Sequence, residues 1–152
     1  MKIRPTKSED SDALRKVVNK TGLFPADMLP DMLHPFLASQ TDEAIWLTCE
    51  LNGTAIGFCF ARPEEMTEGT WNMLAIAVLP EYQGTGAGRL IVKRLEEDLK
   101  TRGQRVLIVD TSGADEFSGT RKFYGKIGYT EEARIRDFWA AGDDKVVFWK
   151  AL

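Results

Sequence analysis

The sequence predicts a single α/β domain, residues 1–152, built around a mixed sheet. Three observations lead there. The stretch from Asn72 to Leu99 is a short apolar run, a turn at Pro80, a glycine cluster, and a helix opening directly on that cluster. Asn52-Gly53 is a strong two-residue hairpin signal between the apolar runs Ile45–Leu51 and Thr54–Ala61. Strand-like and helix-like segments then follow in the order β-α-α-β-β-β-α-β-α-β-β, with no linker, repeat or low-complexity segment. With 43% hydrophobic residues in 152, the chain can bury a core of that size.

In chain order, Lys2–Arg4 reads as an edge strand. Ser8-Glu9-Asp10 supplies a cap and acidic first-turn residues for a helix carrying Leu14, Val17 and Val18, which Gly22 ends. A second helix follows Pro25, with Met28, Leu29, Met32, Leu33, Phe36 and Leu37 at helical spacing, interrupted by Pro30 and Pro35. That stripe is core, or a flap over a substrate pocket. In the Asn-Gly hairpin Ile45, Leu47 and Cys49 are expected opposite Phe60, Phe58 and Ile56. Cys49 and Cys59 then fall on opposite faces, so no disulfide is expected. Arg62-Pro63 opens a polar loop, and Met73–Val78 is a buried strand. After the next helix, Gly103 breaks the pattern and Val106–Val109 is another buried strand. Asp110-Thr111-Ser112-Gly113 is read as the loop at its C-terminal end, where ligands collect in α/β sheets. Ser118–Lys126 is a short helix ended by Gly128. Strands near Thr130–Trp139 and Lys145–Ala151 turn around Gly142-Asp143.

The glycine cluster is a phosphate cradle by its chemistry. Gly84, Gly86 and Gly88 let the backbone turn tightly and let a ligand approach, while a helix N-terminus offers unpaired N–H groups and a partial positive charge. Spacing separates the possible cradles. A P-loop needs G-x-x-x-x-G-K-S/T, but Gly88 is followed by Arg89 and Leu90. A dinucleotide fingerprint needs G-x-G-x-x-G, but from Gly84 the last position is Arg89 and from Gly86 it is Ile91. Gln83-x-x-Gly86-x-Gly88 instead resembles the Q/R-x-x-G-x-G/A signature of the GNAT N-acetyltransferases, which cradles the pyrophosphate of coenzyme A. The alternative is a glycine-rich turn that merely caps a helix.

Further on, Arg121-Lys122-Phe123-Tyr124-Gly125-Lys126-Ile127-Gly128-Tyr129 resembles the family's R-x-F-Y-x-x-x-G-F segment. The resemblance covers nearly the whole chain and is clearest from Trp71 onward. It implies one acetyl-CoA-dependent domain with a mixed, mostly antiparallel sheet of six or seven strands flanked by about four helices. A narrower likeness in Glu68–Trp71, Asp110–Ser112, Arg136–Trp139 and Gly142–Lys145 resembles a subgroup associated with D-alanine–D-alanine ligases.

The family chemistry is direct attack of an uncharged amine on the thioester of acetyl-CoA. The amine must lose a proton, the developing oxyanion needs a donor, and the departing thiolate needs a proton. By resemblance Tyr124 is the acid that meets the sulfur; its alternative is an ordinary core tyrosine. Backbone N–H groups of Ile76, Ala77 and Val78 would hold the pantetheine and the thioester oxygen. Those of Gln83, Gly84, Thr85, Gly86, Ala87, Gly88 and Arg89 would hold the pyrophosphate, with the Arg89 side chain either on a phosphate or solvated. Ser112 is a further candidate cofactor contact. Phe117 stands where many members carry an Asn that touches the cofactor arm, so an apolar contact is expected there.

Some members place a glutamate where this chain has Asn72, which cannot take a proton but can orient a water. Glu68 and Asp110 are the nearest carboxylates that could act as base through water, or are plain surface and loop residues. Asp137 and Asp143-Asp144 either bind a cationic substrate or serve as turn residues.

The net charge of −3 argues against general nucleic-acid or anionic-membrane binding and is compatible with a small-molecule or peptide amine. MKIRPTKSED has no apolar signal region, and no apolar run reaches the roughly 18 residues of a membrane span, so a cytoplasmic protein is expected. The two cysteines lack metal-ligand spacing and the single histidine, His34, has no partner motif, so no metal is expected. A homodimer through the last strands, or through Trp139 and Trp149, is expected by fold analogy alone. The rival function class is a non-catalytic acyl-CoA-binding sensor on the same fold.

Overall fold

A computed structural model describes residues 1–38 and 43–152. Seven strands and four α-helices are present among them: β1 Lys2–Pro5, α1 Ser11–Thr21, α2 Leu29–Ala38, β2 Ile45–Leu51, β3 Thr54–Pro63, β4 Thr70–Val78, α3 Ala87–Thr101, β5 Val106–Ser112, α4 Ser118–Lys126, β6 Thr130–Ala140 and β7 Asp143–Ala151. The strands lie in the order β1-β2-β3-β4-β5-β7-β6. β4 and β5 are parallel, while β1–β2, β2–β3, β5–β7 and β6–β7 are antiparallel. This is the mixed, mostly antiparallel α/β sheet with four flanking helices that the sequence predicts.

The chain divides into two compact units: Met1–Arg62 with Leu74–Asp98, and Pro63–Met73 with Leu99–Leu152. In the first unit, Leu14, Val17 and Val18 are fully buried on one face of α1, and Gly22 ends that helix at φ 64°, its N–H bonded to the Val18 carbonyl. α2 runs through both of its prolines. Pro30 stands in the first turn, where a missing N–H is harmless, and Pro35 is tolerated in the interior. Leu29 and Leu33 are buried but Met28 and Leu37 are exposed, so only part of the stripe serves the core. The hairpin turns through Asn52 (φ 51°) and Gly53 (φ 80°), the paired positive angles of a type I′ turn.

The hairpin register corrects an expectation. Leu47 faces Cys59 and Cys49 faces Gly57, because a bulge between Cys49 and Glu50 shifts the pairing. Cross-strand partners share a face, so Cys49 and Cys59 lie on the same face rather than opposite ones. Both are nonetheless free and buried, and burial pushes the Cys59 thiol up to about 12.

In the second unit, Leu107, Val109, Val146 and Phe148 fill the sheet core, with Tyr124 and Tyr129 buried as well. Each fully buried side chain of this size contributes about 2 kcal/mol of transfer free energy. Two strand limits differ from expectation. β4 begins at Thr70, so Asn72 is inside the strand, and β5 continues through Asp110, Thr111 and Ser112 instead of yielding to a loop. Polar residues at strand ends carry no apolar signal, and only their pairing with β7 (Asp110 with Val147, Ser112 with Lys145) reveals them as strand. α3 also starts at Ala87, two residues earlier than its apolar periodicity suggests.

Candidate active site

In the first unit the cradle follows β4 through a short 3-10 turn at Pro80–Tyr82. The Gln83 side-chain amide donates to the Val78 carbonyl at 3.0 Å, tying the loop back to the strand end, and the Thr85 hydroxyl donates to the Tyr82 carbonyl. Gly84 and Gly86 adopt φ 77° and 94°, angles that cost glycine little. A Cβ added at either would meet nothing within 4 Å, so the space beside this backbone is open. Gln83, Gly84, Thr85, Gly86 and Arg89 are exposed, Gly88 is half-buried and Ala87 is anchored in the interior.

The Leu90 N–H bonds the Gly86 carbonyl at 3.0 Å, which leaves the N–H groups of Ala87, Gly88 and Arg89 ahead of the helical ladder. They sit at the positive end of a fifteen-residue helix. The arrangement fits a pyrophosphate. Ile76 is half-buried, and Ala77 and Val78 are buried. Their strand lies close against Gly57: a Cβ there would come within 2.8 Å of the Ala77 carbonyl oxygen and 3.1 Å of Val78 Cγ2.

Tyr124 belongs to the second unit, on α4. It is 2% exposed, and its ring lies 5.3 Å from Phe123, 5.8 Å from Tyr129 and 5.3 Å from Phe148. Helical spacing and the Phe-Tyr pair place it there, with the Tyr129 N–H closing on the Tyr124 carbonyl at 3.0 Å. Phe117, at the end of the 3-10 turn before α4, is 39% exposed.

The second unit also holds a connected polar cluster. The Asn72 Nδ2 donates to Glu64 Oε1 at 2.9 Å and to Asp110 Oδ2 at 3.2 Å. Both neighbours are carboxylate acceptors, which sets the amide with its NH2 toward them. Lys145 Nζ pairs with the same Asp110 oxygen at 3.3 Å and lies 4.4 Å from the centre of the Phe138 ring. Asn72 Oδ1 and Asp110 Oδ1 remain buried without a hydrogen-bond partner.

So the structure joins Asn72 with Asp110. It does not bring Glu68 to them: that residue is exposed, and its backbone carbonyl accepts from Arg105 Nε. The carboxylate beside Asn72 is Glu64, which the sequence reading missed. A signal existed. The Glu64 N–H bonds the Thr70 carbonyl at 2.8 Å, so pairing continues past β3 and sets Glu64 diagonal to Asn72.

Ser112 is engaged on the hairpin side. Its hydroxyl donates to Asp143 Oδ1 and accepts from the Ala114 N–H at 3.0 Å. Asp144 accepts from Arg134 Nε and from the Asp137 N–H, and Asp137 accepts from the Gly142 N–H. Arg134 holds the half-buried Asp144 carboxyl below its ordinary value. These three aspartates thus work as hairpin-pinning residues. His34 is exposed on α2, and no metal-binding group of His, Cys, Asp and Glu occurs among the described residues.

Comparison with known proteins agrees with this fold. The model of the acetyltransferase (GNAT) family matches residues 12–129. A ribosomal-protein bS18-alanine N-acetyltransferase of Haemophilus influenzae is 35% identical over 106 residues, covering 70% of this chain and 68% of that protein. A GNAT-family acetyltransferase structure from Desulfovibrio desulfuricans superposes with a TM-score of 0.90 at 30% identity, over 99% of this chain and 98% of that one. An aminoglycoside 6′-N-acetyltransferase crystallised with coenzyme A shares the fold at 18% identity, with a TM-score of 0.80 over 99% and 97% of the two chains. The chain belongs to the GNAT acetyltransferase family and is an acyltransferase.

Proposed function

We propose that this protein is an N-acetyltransferase that moves the acetyl group of acetyl-CoA to a primary amine by direct attack. The observation that carries the reading is the exposed cradle Gln83–Arg89, with its two left-handed glycines and open flank at the head of α3. Acetyl-CoA supplies an acyl thioester whose cleavage releases a thiolate. The cradle N–H groups hold the pyrophosphate, and the backbone of Ile76, Ala77 and Val78 serves the pantetheine and the thioester oxygen. Tyr124 gives the thiolate its proton; with a reference pKa near 10, a phenol is protonated at neutral pH and able to donate. Asp110 receives the proton that the ammonium must lose, directly or through a water that Asn72 orients.

A second reading keeps acetyl-CoA binding but removes turnover. The close packing of the Tyr124 ring against three aromatic neighbours favours it, since a tyrosine in that setting also serves as core. The narrower likeness to acetyltransferases associated with D-alanine–D-alanine ligases names no acceptor.

Calorimetric titration with acetyl-CoA, and in parallel with NADH and ATP, tests the reading, followed by thiol release with a panel of amines. Selective binding of acetyl-CoA and amine-dependent thiol release are expected. Selective binding with no thiol release from any amine points to the sensor. Failure of the folded protein to bind acetyl-CoA overturns the cradle and the acetyltransferase with it.

A further inference from the structure

The polar cluster of the second unit contains two hydrogen-bond acceptors with nothing to accept. Asn72 is 4% exposed, and both protons of its amide nitrogen are committed, one to Glu64 and one to Asp110. Its Oδ1 is left buried and unpartnered, as is Asp110 Oδ1 on the adjoining side chain. A buried acceptor without a donor is costly, so two on neighbouring side chains mark a place where a donor-rich group belongs.

The charges point the same way. Lys145 pairs with Asp110, but Glu64 has no ion-pair partner among the described residues, which leaves the cluster one carboxylate in excess. A group with several N–H donors and a positive charge satisfies both conditions, and a primary ammonium is the simplest.

The rim of the cluster is aromatic. Ile135 pairs with Lys145 and Ala140 with Asp143, so four residues of β6, Arg136 to Trp139, bow out opposite the single residue Asp144. The bow carries Phe138 and Trp139 in an edge-to-face pair 4.8 Å apart, 47% and 49% exposed. Phe138 lies against the Lys145 ammonium that pairs with Asp110, and Trp139 Nε1 donates to the carbonyl of Thr111, the residue after Asp110. The Asp137 turn at φ 55° and its bonds to Asp144 and Gly142 hold the bow in shape.

We propose that Asn72 Oδ1 and Asp110 Oδ1 form the nitrogen subsite of the acceptor, that Glu64 is the positioning residue that turns the Asn72 amide toward it, and that Phe138 and Trp139 receive the carbon body. The acceptor is then a primary alkylamine on an apolar or aromatic body, not an arylamine or a hydroxyl compound. The inference rests on the acetyltransferase reading above. In the reaction one N–H bond of the ammonium breaks, its proton goes to Asp110 Oδ1, and the freed nitrogen lone pair attacks the thioester carbonyl. As the C–S bond breaks the thiolate takes a proton from Tyr124, which the second nitrogen proton lost on amide formation replaces, and the Asp110 proton leaves to solvent.

The test is an NMR titration of isotope-labelled full-length protein that follows the Asn72 side-chain amide and the Trp139 indole N–H. The probes are phenethylamine and its N,N,N-trimethyl analogue, which keeps the charge and the ring but has no N–H. Phenethylamine is expected to move both signals saturably, and the analogue to leave the Asn72 amide in place. Glu64→Ala should weaken phenethylamine binding by about tenfold, the worth of one hydrogen bond to a charged group. Acetyl-CoA affinity should stay unchanged, and Glu64→Gln, whose carbonyl still accepts from Asn72, should restore most of the loss.

An Asn72 amide that ignores phenethylamine, or responds equally to the analogue, overturns the subsite. Equal loss in Glu64→Ala and Glu64→Gln overturns the positioning role in favour of bare charge. Acetyl-CoA titrated into the same sample separates the two readings. Phenethylamine binding without acetyl-CoA binding keeps the amine subsite and removes the acetyltransferase, and the converse result removes the subsite alone.

Discussion

Tyr124 has to satisfy two demands at one position. Its ring fills an aromatic cluster with Phe123, Tyr129 and Phe148, while the proposed chemistry needs only its hydroxyl. Tyr124→Phe separates them, because phenylalanine keeps the ring and its burial. Turnover is expected to fall by about a hundredfold or more, the usual worth of a positioned acid, with the melting temperature and acetyl-CoA affinity nearly unchanged. Steady-state thiol release together with a thermal melt checks this, and an unchanged kcat removes Tyr124 from the chemistry. Asn72 shows the residue scale differently. Its identity announces no base, and the role proposed for it rests on what holds its amide: two carboxylates on one side and an unpartnered acceptor on the other.

At the scale of elements, strand approach and helix starts depend on particular glycines. Gly57 lets β3 pass so close to the end of β4 that a methyl group would strike backbone, the Ala77 carbonyl at 2.8 Å. Backbone cannot swing aside as a side chain can. Gly57→Ala is therefore expected to cost about 1–3 kcal/mol, with weakened acetyl-CoA binding because Ala77 must shift. Gly53→Ala is the control: its Cβ meets nothing within 4 Å, so only the strain of φ 80° is felt, about 1 kcal/mol. Urea unfolding of both variants, with calorimetry on acetyl-CoA, checks the contrast. Equal costs would mean that close approach does not matter at Gly57.

For the whole molecule, stability in acid is governed in part by an ion-pair network near the N-terminus. Arg4 binds both Asp10 oxygens at 2.8 Å and Glu50 at 2.6 Å, while Asp10 also accepts from the Lys7 N–H. Burial pushes the Asp10 carboxyl up, but the Arg4 and Lys7 hydrogen bonds and the nearby Arg4 charge outweigh it and hold the group below its ordinary 3.8. A carboxyl depressed in the fold stabilises it at pH above the unfolded value, and that contribution is lost as pH falls through the folded one.

Asp10→Asn should thus be less stable than the parent near neutrality, by about 3 kcal/mol for a broken, mostly buried pair. The gap should narrow as pH falls below about 4. Urea unfolding at neutral and acid pH measures it, and a gap that stays constant with pH would assign the loss to packing alone. No helix among the described residues is long and apolar enough to cross a membrane.

The features legible in the sequence are those that short stretches encode by themselves. The Asn52-Gly53 turn, the periodic apolar faces of α1 and α3, the Gln83–Gly88 cradle and the Tyr124 segment each need only neighbouring residues to specify them. The tertiary structure decided the partners. It put Glu64, not Glu68, on the Asn72 amide, Lys145 on Asp110, and Cys49 on the same face as Cys59. Each depends on strand register. A single bulge between Cys49 and Glu50, pairing that continues to Glu64, and a four-residue bow in β6 set that register, and each is a balance of non-local hydrogen bonds that no local pattern of residue types records.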